Sequence, residues 1–267
     1  MNKLSFVIAF SIPMLAIAEW KVPQRPNPQV ILNEARADAR AGRFEDALAK
    51  HLWFHHHVLE HNPSFSGVRL SFALMYWHEL GKVYPPALEK LTEIRDQAAR
   101  QAVARKGNAR QAFMDMRAIN DELGEIDGTV TAFVRLDKDA PNVAKEVYDL
   151  AQPALVKAKK FALCGKYLDP EKSYANLARF YDFNRKIAKK KDSVARKSYQ
   201  HEFAERHFIE QSATLVALLV LNDRKSDADK IAADARSKSQ HPSRDTMIDA
   251  ALQGKIPEDD SESGGTE

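Results

Sequence analysis

Helical periodicity runs through almost the whole chain, and this pattern limits the possible folds more than any other feature. No segment shows the sustained alternation of apolar and polar residues that is typical of a β-strand bounded by turns. Glycine is scarce, with ten residues among 267, so few positions favour a sharp turn. The sequence therefore predicts an all-α protein.

The predicted helices of the N-terminal half come in pairs. They cover residues 28–41, 44–62, 67–80, 85–105 and 108–123. Gly42, Gly81 and Gly124 stand at the predicted turns and recur at intervals of about 40 residues, which is typical of helical repeats. We expect an array of antiparallel helical hairpins, as an open α-solenoid or as a compact helical-repeat domain.

Several segments predict a packed interior. FALMYW at 72–77 has apolar side chains all round, so we expect that helix to be covered on every side. The run 213–221 is apolar apart from Thr214 and predicts a buried helix. Cys164, the only cysteine, excludes an intrachain disulfide, and its apolar neighbours predict a buried thiol.

The segment ARAGRFEDALAKHLWFHHHVLEHNP resembles a tetratricopeptide repeat. Gly42, Phe44, Ala47 and Pro63 stand in the turn, aromatic, small-residue and helix-end positions of that family. Pro63 comes four residues later than is usual there. Asp38 also departs from the pattern, since it puts a charge where the family packs a tyrosine.

The resemblance is clearest over 28–63 and weaker over 213–242, where Ala228, Ala232 and Ala235 have the small-residue spacing. It implies a superhelical array that binds other proteins. It carries no catalytic residues.

The N-terminus has the pattern of a secretory signal peptide. Lys3 precedes an uncharged run over 4–18, which ends in the small-residue motif Ala-Ile-Ala. Fifteen helical residues span about 22 Å, less than the ~30 Å hydrocarbon core, and Pro13 interrupts them. We expect cleavage, export to the periplasm or medium, and no transmembrane segment in the mature protein. An uncleaved anchor is the alternative.

Composition divides the chain into four predicted regions. They are a signal peptide at 1–18, a proline-rich lead at 19–29, a single helical-repeat domain at 30–255 and a disordered acidic tail at 256–267. The tail contains five acidic residues and no basic residue.

The stretch HLWFHHHVLEHNP contains five histidines and is the strongest candidate for chemistry. On a helix, His51 and His55 fall near the centre of the packing face, whereas His56, His57 and His61 fall outside it. The first two predict structural histidines that bond to backbone or carboxylate groups.

Zinc binding is the alternative for the buried pair. An i, i+4 histidine pair needs further ligands, and His78 on the next helix is the candidate beside His51 and His55. No other cofactor is expected.

The known catalytic motifs are missing from the sequence. WHELGK has Lys82 where a zinc protease needs its second histidine, and HEFAERH has Glu205 there. No G-x-S-x-G motif and no phosphate-binding glycine loop occurs. We therefore expect a protein without enzymatic activity. An enzyme of an unrecognised type is the alternative.

Two kinds of surface are candidates for binding. Trp53 points away from the predicted packing face, and with His57 and Trp77 it is a candidate for contact with another envelope or secreted protein. The basic stretch 185–197 is a candidate for anionic polymer or membrane surface, through Arg185, Lys186, Lys189, Lys190 and Lys191. Nucleic acid is not expected as a partner, because no aromatic residue interrupts that stretch.

Overall fold

The computed structural model describes residues 20–104, 108–189 and 194–258. These residues form thirteen α-helices and one short 3-10 helix, and they contain no β-strand. The predicted all-α fold class is confirmed. The arrangement as repeated hairpins and the resemblance to tetratricopeptide repeats stay predictions. The predicted signal peptide at 1–18 and the tail from residue 259 onwards lie outside the described residues.

The chain divides into two compact units. Unit 1 takes in the residues up to Gln97 together with Ala118–Gly124, and unit 2 takes in Ala98–Arg117 and the residues from Glu125 onwards. Such a division is compatible with one continuous helical-repeat domain and with two domains. The single domain at 30–255 therefore stays a prediction.

Unit 1 contains four complete helices and parts of two more. The complete helices are α1 (Pro28–Arg40), α2 (Phe44–His61), α3 (Ser66–Arg69) and α4 (Phe72–Val83). The two helices that contribute residues to both units are α5 (Pro85–Ala104) and α6 (Ala109–Leu123). The core of unit 1 consists of one apolar cluster around Trp77 and another around Phe54.

The first helix pair, α1 and α2, agrees closely with the prediction from the sequence. The side-chain oxygen of Asn27 accepts hydrogen bonds from the backbone N–H groups of Gln29 at 3.0 Å and Val30 at 3.3 Å, and Pro28 begins α1. Gly42 lies between α1 and α2 with a φ of +75°, which glycine adopts without strain. The predicted helices 28–41 and 44–62 are confirmed to within one residue at each end.

Gly81 does not form the predicted turn. The predicted helix 67–80 is divided into α3 and α4, and Gly81 lies inside α4. A Cβ atom at Gly81 would lie 2.9 Å from the Cβ atom of Leu88 and 3.2 Å from its Cα atom. The glycine therefore permits a close approach of the chain around Leu88, and it lies two residues before the end of α4.

Unit 2 contains seven complete helices. They are α7 (Ile126–Asp139), α8 (Pro141–Lys157), α9 (Phe161–Tyr167), α10 (Pro170–Lys189), α11 (Val194–Val220), α12 (Lys225–Lys238) and α13 (Arg244–Ala251). Lys159, with a φ of +54°, lies in the break between α8 and α9. A hydrogen bond of 3.0 Å from the N–H of Lys172 to the carboxylate of Asp169 caps the start of α10.

One large apolar cluster forms the core of unit 2. The C-terminal half of α11 lies inside it. The buried helix predicted over 213–221 is confirmed for 213–219 apart from the half-buried Thr214, whereas Val220 is half-buried and Leu221, after the end of α11, is 41% exposed. Cys164 is fully buried, as predicted, and burial raises the pKa of its thiol to about 11. The thiol therefore stays protonated at neutral pH and packs as a small apolar group.

None of the helices within the described ranges is long and apolar enough to cross a bilayer. The expectation of no transmembrane segment after signal cleavage agrees with this finding for that part of the chain.

The close approach at Gly81 can be tested by Gly81→Ala. The added methyl group would overpack against Leu88 at a cost of about 1–3 kcal/mol, more than the gain of up to about 1 kcal/mol for alanine over glycine in a helix. We therefore expect a net loss of stability in urea unfolding. Gly67→Ala is the matched control, because nothing lies within 4 Å of its Cβ position. Equal effects of the two changes would contradict this account.

Candidate functional site

The histidine stretch on α2 divides into buried and exposed side chains. His51 and His55 are only 2% and 4% exposed, whereas His56, His57 and His61 are exposed. The helical projection is confirmed for all five residues. The surrounding protein therefore sets the contacts and the protonation of the two buried histidines.

His51 packs flat against a tryptophan. Its ring and that of Trp77 are stacked, with centroids 5.9 Å apart and an angle of 20° between the planes. The Nε2 atom of His51 is buried without a hydrogen-bond partner. Burial lowers the pKa of His51 to about 4, so the imidazole is neutral at neutral pH.

His55 is held by an arginine from α3. The Arg69 Nη2 atom lies 3.2 Å from His55 Nε2, and Arg69 Nε donates to the His55 carbonyl oxygen at 2.6 Å. A guanidinium group has no acceptor, so His55 Nε2 must accept the first bond. This contact favours the neutral imidazole with its proton on Nδ1. The edge of the His55 ring contacts Trp77 at a centroid distance of 6.0 Å.

The zinc candidates do not form a ligand set. His78 is engaged elsewhere, with its Nδ1 atom 3.0 Å from Glu122 Oε1. In the part of the chain that the structure describes, no group of three His, Cys, Asp or Glu side chains is placed to hold a metal ion. The described structure therefore does not bring His51, His55 and His78 together as one ligand set.

The two tryptophans proposed from the sequence as surface contacts are buried, and that prediction is wrong. Trp53 is 8% exposed, because it packs in the apolar cluster that includes Ile31 and Leu32 of α1. The rings of His57 and His61 also contact it, at 6.1 Å and 5.4 Å. Trp77 is 1% exposed, and its indole N–H donates to the Ala87 carbonyl at 2.9 Å. Of the three protein-binding candidates, only His57 lies at the surface.

A buried ion pair joins α1 to α2. Asp38 and Lys50 are 5% and 6% exposed, and the ammonium of Lys50 bonds to the Asp38 carboxylate. Arg43 Nε donates to the same carboxylate at 2.9 Å. Burial opposes the charge of Asp38, but these bonds outweigh burial and hold its pKa below the ordinary value. The charge that departs from the tetratricopeptide pattern is thus neutralised inside the helix pair.

Helix α4 leaves part of its apolar surface uncovered. Leu74 and Trp77 face the core, but Phe72, Met75 and Val83 are 59%, 37% and 62% exposed. The prediction that residues 72–77 are covered on every side is therefore wrong. A face of this composition is normally buried.

The candidates for an anionic surface lie on α10 or just beyond it. Lys190 and Lys191 are outside the described residues, whereas Lys186 and Lys189 are exposed. Arg185 is partly drawn inward, since its Nη1 atom donates to the Tyr181 hydroxyl at 3.1 Å. The described part of this surface thus comes from Lys186 and Lys189 more than from Arg185.

Sequence reasoning missed a row of aromatic residues beside these bases. Phe180 and Phe183 on α10 are 43% and 60% exposed, and Tyr199 on α11 is 70% exposed. Large apolar rings at i and i+3 among polar residues were the signal that could have found them.

Sequence reasoning also missed a buried carboxylate in unit 2. Glu205 on α11 is 4% exposed and accepts hydrogen bonds from the Ser239 hydroxyl at 3.0 Å, the Gln240 N–H at 2.8 Å and the Tyr181 hydroxyl. Burial opposes its charge, but these bonds hold the pKa of Glu205 below its ordinary value. With every contact internal, Glu205 fastens α10 and the end of α12 to α11.

No protein-family model, curated protein or solved structure matches the chain.

The burial of His51 predicts a loss of stability in acid. Its folded pKa of about 4 lies below the ordinary 6.5. Its contribution is therefore fully present above about pH 6.5 and is lost as the pH falls towards 4, by up to about 3 kcal/mol. We expect His51→Phe, measured by urea unfolding at a series of pH values, to lose less stability than the parent over this range. His57→Gln, at an exposed position, should behave as the parent. Equal pH slopes for the parent and His51→Phe would contradict the assignment.

Because Asp38 and Lys50 pair with each other, we expect substitutions of the two residues to have non-additive effects on the free energy of unfolding. Lys50→Met removes the buried partner of Asp38 and should cost about 3 kcal/mol. The double variant Asp38→Leu, Lys50→Met removes both buried charges. It leaves the exposed Arg43 without its carboxylate, but it should lose less stability than the two single changes together. A double-mutant cycle in urea unfolding measures the difference. Additive losses would show that the two charges do not depend on each other.

Proposed function

We propose that the protein is an exported, non-enzymatic helical scaffold that binds another envelope or secreted protein. The observation that carries this proposal is the uncovered apolar face of α4. The predicted signal peptide supports export, and the tetratricopeptide-like pattern of the first helix pair supports protein binding as the role.

The spacing on α4 suits a helical partner segment. Phe72, Met75, Glu79 and Val83 occur at i, i+3, i+7 and i+11, so they form one narrow stripe along the helix. An amphipathic helix can lay its apolar residues along a stripe of this kind. Glu79 is the one charged member of the stripe, and it pairs with Lys82 at 2.5 Å.

The opposite side of α4 keeps the stripe rigid. Leu74, Trp77 and Leu80 are each 1% exposed and fix the helix to the core of unit 1. The stripe is therefore preformed, and α4 loses little conformational entropy when a partner binds. Phe72 is the expected anchor, since aromatic side chains supply much of the binding energy at protein interfaces.

Capture from envelope extract tests the proposal. The parent should retain a defined protein at low and at high salt, because apolar contacts are not screened by ions. The double variant Phe72→Ser, Val83→Ser should lose that protein while its thermal unfolding stays close to that of the parent.

Val30→Ser is the matched control, because Val30 is also exposed, at 47%, but lies on α1. This variant should retain the partner. An unchanged set of captured proteins for the α4 variant, or no protein retained by the parent, would refute the proposal.

A further inference from the structure

We propose that the outer face of α10 and α11 is a docking surface for an anionic lipid membrane. This surface lies in unit 2 and does not depend on the partner proposed for α4. We call it the aromatic–basic face. It comprises Arg179, Phe180, Phe183 and Lys186 on α10 and Tyr199, Phe203, Arg206 and His207 on α11.

Contacts between α10 and α11 run in reverse order along the chain. Asn184 accepts a hydrogen bond from Gln200 at 2.7 Å, and the rings of Phe180 and His207 meet at 5.1 Å further along. The two helices are therefore antiparallel. This register places Phe183 level with Phe203, and the aromatic residues of both helices form one surface.

One exposed ring, that of Phe180, contacts a pair of half-buried rings. Phe203 and His207 are stacked at a centroid distance of 5.7 Å, and Phe180 meets His207 edge-on. Phe183 and Tyr199 extend further out, at 60% and 70% exposure. An aromatic group with a polar tip, such as Tyr199, is suited to the boundary between headgroups and acyl chains.

Positive charges flank the exposed phenylalanine. Arg179 and Lys186 lie one helical turn on either side of Phe183, and both are exposed. Asp182 is exposed and lies one helical turn from both Arg179 and Lys186, and its carboxylate is bound to Lys238 at 2.9 Å. Glu202 is an exposed acidic residue on the neighbouring part of α11.

The mixture of rings and long cationic side chains favours a lipid surface as the occupant. Arg179 and Lys186 can pair with anionic headgroups while Phe183, between them, enters the acyl boundary. A helical protein partner is better matched by a stripe without cations between the apolar residues, as on α4. The charge and the apolar surface of the aromatic–basic face thus suit the same ligand.

Vesicle co-sedimentation tests the proposal. The full chain is purified after expression, and mass spectrometry determines its N-terminus, so that every variant is compared with the same N-terminal segment. The vesicles are phosphatidylcholine alone, or phosphatidylcholine with roughly one third phosphatidylglycerol. We expect binding to the anionic vesicles, weaker binding to the neutral ones, and a decrease at high salt.

Variants of the aromatic–basic face separate the apolar and the electrostatic contributions to vesicle binding. Phe183→Ser and Tyr199→Ser should each weaken binding to anionic vesicles by about tenfold, which is the effect of burying one large apolar side chain. Arg179→Glu with Lys186→Glu should weaken it at low salt by at least as much. Val30→Ser and Lys90→Glu alter exposed residues of unit 1 and are the controls, which should bind as the parent does.

Three results would overturn the proposal. The first is no binding of the parent to anionic vesicles. The second is equal binding by the parent and the four face substitutions, which would place the contact on another part of the chain. The third is retention of an acidic protein through the same residues without vesicle binding, which would make the face a protein-binding surface.

Discussion

Burial of the apolar helix faces holds each compact unit together, because the single cysteine allows no disulfide within the chain. Each helix must therefore match its apolar side to a neighbour. Most do so, and the C-terminal half of α11 is enclosed almost completely. A helix whose apolar side remains exposed is therefore an exception to this pattern of burial. The α4 stripe and the aromatic–basic face are two such exceptions.

Polar groups inside the units are bonded in ways that fix which helices meet. Asp38 can be buried only where Lys50 and Arg43 reach it, so the ion pair selects one register between α1 and α2. Glu205 has the same effect in unit 2, where Tyr181 on α10 and the backbone after α12 must both reach it. His51 is different, since it stays neutral and packs by shape against a tryptophan.

Much of the local structure could be predicted from the sequence, because it depends on neighbouring residues. The cap at Asn27, the turn at Gly42 and the division of the α2 histidines all follow from residues within a few positions of one another. Tertiary placement could not be predicted this way. Gly81 resembles a turn glycine, but its role depends on Leu88 packing against it. The burial of Trp53 depends on the packing of α2 against Ile31 and Leu32 of α1.

The candidate surfaces were harder to predict for the same reason. An apolar helix has the same sequence whether a neighbour covers it or not. The sequence of 72–77 alone therefore does not show that Phe72 and Met75 remain exposed. The basic residues of α10 were visible in the sequence, but the rings of Phe183 and Tyr199 become one surface only through the antiparallel contact of α10 and α11. The ion pair of Asp38 likewise needs the folded helix pair to bring Lys50 to it.

Photo-crosslinking in intact cells tests most directly whether the uncovered apolar faces are contact surfaces. Benzoylphenylalanine would replace Phe72 or Phe183 in separate variants, with Lys90 as the control position. The account predicts a protein adduct from position 72 and a lipid adduct from position 183, each well above the adducts from position 90. Adducts at both positions no more abundant than at the control would contradict it, because both faces would then be open to water in the cell.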